Sequence, residues 1–113
     1  MKNVLARHAF TAADWFQLGR SLMGEGRLPQ AGLCFQAAVH RDHTHAEAWF
    51  CLAQSQENLG LFEQASVSLV CSLSLKPDHY EARMKLVQML INQGNNRQAF
   101  QVWWGGRKLK RGG

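Results

Sequence analysis

A period of 34 residues runs through the chain and restricts it to an architecture of stacked, similar units. Trp15 and Trp49 stand 34 apart. Leu18, Leu52 and Leu86 keep the same interval, as do Gly26, Gly60 and Gly94, and Ala31, Ala65 and Ala99. Two further columns share the register: Phe35, Leu69, Trp103, and Leu22, Gln56, Leu90, the second interrupted by an amide. A single unit of this kind cannot bury its apolar stripe, so stability comes from stacking, and about three units is the usual minimum. The chain is at that minimum.

Within one period the spacing is helical. Trp15, Leu18, Gly19 and Leu22 fall at i, i+3, i+4 and i+7, one face of a helix. After Gly26 and a short turn, Pro29 occupies a first-turn position where proline is tolerated, and Ala31, Phe35, Ala38 and Val39 continue at helical spacing. Each unit is therefore a helical hairpin. Thr44 with Glu47, and Asp78 with Glu81, have the spacing of N-terminal caps. Gly26, Gly60 and Gly94 stand where a left-handed residue ends the first helix of each pair. Helices are predicted near 12–25, 29–42, 45–58, 62–75, 79–92 and 96–104.

These residues resemble the tetratricopeptide repeat family, whose unit carries a tryptophan, a leucine–glycine pair, a glycine turn, then alanine, an aromatic, alanine and proline. The first unit matches at Trp15, Leu18, Gly19, Gly26, Ala31, Phe35 and Ala38; the second at Trp49, Leu52, Ala53, Gly60, Ala65 and Pro77. The third departs most, with Arg83 for the tryptophan, Val87 for the glycine and Gly106 for the second alanine. The resemblance implies an all-α, tetratricopeptide-like solenoid of about six antiparallel helices in a right-handed superhelix. Its repeats would span 12–45, 46–79 and 80–113, after an N-terminal extension, 1–11. The small residues Gly19, Ala31, Ala53, Ala65 and Ala99 would let helices approach. Trp15, Leu18, Phe35, Trp49 and Leu52 would fill the core.

Charge narrows the partners. Of thirteen basic groups, Arg107, Lys108, Lys110 and Arg111 contribute four, which leaves nine against eight acidic groups in the body. The +5 net charge is thus terminal, and the basic face of a dedicated nucleic-acid module is missing. No run approaches the roughly 20 apolar residues of a membrane span, and the start lacks the apolar stretch of a signal peptide, so a cytoplasmic location is expected. Cys34, Cys51 and Cys71, odd in number and without CxxC spacing, read as small hydrophobes.

The stretch HRDHTH, His40 to His45, holds the only compositional hint of a metal. His43 and His45 are near enough in sequence to share an ion, with His40, Asp42 or His79 as further ligands. The stretch also falls at the joint between repeats, one period before SLKPDH, where polar capping residues are ordinary. No metal or other cofactor is assigned. Nothing brings a cysteine and a histidine into a supported catalytic geometry, so the chain reads as a non-enzyme.

The expected work is protein–protein interaction, as an adaptor, scaffold or chaperone-like module. The resembled family uses the first helices of its hairpins to line a concave groove for a peptide. The matching columns here are Phe16, Phe50, Met84; Arg20, Gln54, Gln88; Met23, Glu57, Ile91; and Gly24, Asn58, Asn92. Phe16 and Phe50 would be apolar anchors beside amides. The family's carboxylate clamp for chaperone tails is not matched, since Phe16 and Gln54 replace its lysine and asparagine. The alternative is self-assembly. A short last helix carrying Trp103 and Trp104 would expose an uncapped end to another copy. The Gly-flanked basic tail from 105 reads as a solvated arm.

Overall fold

The computed structural model describes residues 10–112, with side chains described to Gly105. Six helices occur among them: α1 (Ala12–Gly24), α2 (Leu28–Arg41), α3 (Ala46–Asn58), α4 (Phe62–Leu75), α5 (Tyr80–Asn92) and α6 (Asn96–Gly112). They pair as three hairpins, and each packs mainly on its neighbours in the chain. No described helix is long and apolar enough to cross a membrane. Of the expected N-terminal extension, residues 1–9 lie outside the described residues.

The turns inside the hairpins are one motif built three times. Gly26, Gly60 and Gly94 take φ of 80°, 81° and 81°, a region that L side chains rarely adopt. That bend lets Arg27, Leu61 and Asn95 donate their N–H groups back to Leu22, Gln56 and Leu90 at 2.8–2.9 Å. The glycine N–H groups reach Met23, Glu57 and Ile91. Both sets of bonds define a Schellman ending, which satisfies carbonyls a bare helix end would leave open.

The joints between hairpins differ from the expectation. Thr11 caps α1 in a full capping box with Asp14, a pairing not anticipated. At α3 and α5, however, the caps are His45 and His79, whose Nδ1 atoms accept from Ala48 and Ala82 at 3.1 and 3.2 Å. Thr44 instead gives its hydroxyl and its N–H to Asp42. The imidazole wins the cap because it also packs, tilted, against an aromatic ring of the preceding hairpin, a contact a short threonine or aspartate side chain cannot make.

Two apolar clusters lie along the stack. The first gathers Phe16, Phe35, Val39, Cys51 and Leu52; the second Phe50, Leu69, Leu86, Met89 and Leu90. Helix α3 serves both, which is how adjacent repeats become one cooperative body. Of the residues assigned to the core, Trp15 and Trp49 are half-buried and Leu18 is 38% exposed. Leu52 and Leu86 pack beneath an earlier hairpin; Leu18 has none before it among the described residues.

Arg83, the departure from the tryptophan column, retains the hydrogen-bonding role. Trp49 Nε1 donates to the His43 carbonyl at 2.9 Å, and the Arg83 guanidinium donates to the Pro77 carbonyl one period later.

The last helix is not short. It passes through Gly105 and Gly106 and continues to Gly112. A glycine costs a helix interior only about 1 kcal/mol relative to alanine, too little to stop one already propagating into Arg107, Lys108, Leu109 and Lys110, all good helix formers. The basic segment is thus a continuation of α6 and not a separate arm.

Candidate functional site on the first-helix face

The first helices α1, α3 and α5 present the columns expected to line a groove. The two aromatic members do not line it. Phe16 is 8% exposed and Phe50 6%, and each ring centroid lies 4.6 Å from the imidazole that caps the next hairpin, His45 and His79 respectively. They fill the joints, while Met84, third in the column, is half-buried. A position a quarter turn from the core stripe is buried here because the next hairpin leans over it.

What the face offers instead is polar. Arg20 is exposed, with its guanidinium carbon 5.7 Å from the Phe16 centroid, a cation–π distance. Gln54 and Met23 are half-buried; Asn58, Gln88 and Asn92 are exposed, and Gln88 donates to Asn92 at 3.3 Å. Lys85 Nζ bonds Glu57 Oε1 at 2.9 Å and ties α5 to α3 across the face. This link neutralises Lys85. Opposite charges 28 residues apart show no spacing rule in sequence, so it was not legible there.

Cys34, on α2, and Cys51, on α3, are buried. Burial, with Glu47 adding to it and Arg20 opposing, pushes the Cys51 thiol up to about 11. Cys34 is raised by burial. Both are buried small hydrophobes, as expected of them, and Cys71 is partly buried.

HRDHTH forms a joint. His43 Nδ1 hydrogen-bonds the Val39 carbonyl, His45 Nδ1 is taken by its cap, and the Thr44 hydroxyl, then its N–H, hold the Asp42 carboxyl below its ordinary range. His40 lies apart, on a hollow with Trp15 and Leu33. Among the described residues, no three His, Cys, Asp or Glu side chains converge on a point that would hold a metal.

Stacked helical hairpins with a continuous face of side chains from alternate helices define a helical-repeat scaffold. The 34-residue unit makes the class specific: the chain is a tetratricopeptide repeat protein. It is 32% identical over 97 residues to human tetratricopeptide repeat protein 8, covering 85% of this chain and 18% of that one. It is 38% identical over 89 residues to the peroxisomal targeting signal receptor of Candida albicans, covering 77% of this chain and 15% of the receptor. The chain thus spans under a fifth of these relatives' length. No protein-family model matches it. Among solved structures, MamA superposes with a TM-score of 0.82 at 22% identity, over 98% of this chain and 65% of that one. The Yersinia enterocolitica type III secretion chaperone SycD, solved with a peptide of the translocator YopD, gives 0.76 at 16% identity, over 86% and 74%. Both share the fold.

Proposed function

We propose that the chain is a cytoplasmic protein-interaction module whose concave face, made by α1, α3 and α5, binds a peptide segment of another protein carrying an acidic group. The observation that carries it is the exposed Arg20, set over Phe16 on a face otherwise furnished with carboxamides and one neutralised ion pair. Gln54, Asn58, Gln88 and Asn92 can each donate and accept, which suits a peptide backbone, while Arg20 supplies charge. Peptide capture in one solved relative of the fold and the receptor role named for the Candida protein support the same use. With Phe16 and Phe50 in the joints, Met23, Met84 and Ile91 are the apolar side chains left to the face. Weak apolar anchoring against the cost of association gives affinities on the order of micromolar. In a fluorescence titration with acidic peptides, Arg20→Glu loses about tenfold or more in affinity, since it both removes a favourable charge contact and adds repulsion. Its melting temperature stays near wild type because the side chain is exposed. Unchanged affinity would reject this face.

A second reading rests on α6. Phe100 is 59% exposed and Trp104 43%, their rings stacked within 7° of parallel, with Trp103 tilted beside them. Such a surface suits self-association through Trp103 and Trp104. Light scattering across a hundredfold dilution then shows mass falling with concentration, and Trp104→Ser gives a monomer throughout. A wild-type monomer at all concentrations would reject it.

A further inference from the structure

On the side of α5 half a turn from Gln88 and Asn92, helices α4, α5 and α6 border a trough of about 620 Å³. Leu86, Leu90 and Val102 form its floor, and Val67 and Val70, 62% and 50% exposed, its wall. The register shows why it is apolar here. One period earlier Gln56 and Ser68 stand where Leu90 and Val102 stand, and Ser68 Oγ donates to Gln56 Oε1 at 2.7 Å in a buried polar bridge. The third hairpin has lost both members of that bridge together.

The rim supplies Gln93, Gln98 and Gln101, and among the described residues Glu63 is the one ionisable side chain in the lining, with no lysine or arginine bordering the trough. Glu63 therefore favours a cationic group beside it, opposite to the choice made by Arg20. The trough is open to solvent, whereas small-molecule sites bury about 70–90% of their ligand. A peptide can insert side chains into such a surface and leave its backbone at an amide rim. We propose that the trough docks a segment of another protein bearing aliphatic side chains with an adjacent lysine or arginine, and that it does so independently of the first-helix face.

The probe is a dye-labelled, acetylated and amidated peptide repeating Leu-Lys-Lys-Leu, with a Leu-Glu-Glu-Leu counterpart, each titrated against the full chain by anisotropy. The lysine peptide binds about fivefold more tightly, the size of one exposed charge pair, and Glu63→Lys reverses the order. Leu90→Gln with Val102→Ser, which copies the second hairpin, removes binding of the lysine peptide. Val67→Lys, at an exposed site, weakens it through loss of apolar contact and added repulsion, and serves if the double variant does not fold. Three results would overturn the proposal: a preference untouched by Glu63→Lys, lysine-peptide binding lost with Arg20→Glu, or an oligomer that Val67→Lys dissolves, which would make a second copy the occupant.

Discussion

Phe50→Ala lowers the unfolding free energy by about 3–5 kcal/mol, and Phe50→Glu leaves little folded protein. The ring is 6% exposed, belongs to the second apolar cluster, and lies against His79, whose Nδ1 caps α5. Truncation opens a cavity and frees the imidazole that holds the helix start. A glutamate puts a carboxylate where the ring is buried, at a desolvation cost. Domains of this size have about 5–15 kcal/mol in total, so either change removes a large part of it. Phe16→Ala acts in the same direction at the first joint, where Phe16 lies against His45 and Phe35. Urea unfolding followed by circular dichroism measures both. A loss below about 1 kcal/mol would mean that these rings are surface anchors for a ligand.

The Phe16, Phe50, Met84 column shows where the sequence can be read and where it cannot. Periodicity locates a residue around its own helix, which is why the hairpins, the glycine turns and the alanine contacts were all legible. It does not say how far the next hairpin leans over the edge of that stripe, and that lean decides whether Phe50 is a joint or a groove. The same limit explains Leu18, which shares a column with buried Leu52 and Leu86 but has no hairpin before it among the described residues. His45 and His79 were missed as caps for another reason. Imidazole is not among the preferred capping side chains, and only its packing against Phe16 and Phe50 in three dimensions makes it competitive. On the candidate face, Arg20, Asn58, Gln88 and Asn92 are exposed and Gln54 is half-buried, while the Lys85–Glu57 link is a property of helix packing alone.

Gly19→Ala is expected to destabilise the protein although alanine is the better helix former. A β-carbon built at Gly19 lies 2.6 Å from Phe35 Cε1 and 2.9 Å from Cδ1, closer than real contacts come. Phe35 is fully buried and its ring has nowhere to retreat. The propensity gain of about 1 kcal/mol is set against overpacking of about 1–3 kcal/mol, or more where the neighbour is a rigid ring, so the net change is a loss. The repeat itself supplies the remedy. One period on, the same two places hold Ala53 and Leu69, both buried, so the larger residue on the first helix is matched by a smaller one on the second. Phe35→Leu alone leaves a void against Gly19, and Gly19→Ala alone produces a clash; together they rebuild the Ala53–Leu69 pair. A double-mutant cycle in urea therefore gives a favourable coupling of about 1–3 kcal/mol. Strict additivity would show that the two columns do not pack as a unit, and the size matching between Gly19–Phe35 and Ala53–Leu69 would then have no energetic meaning.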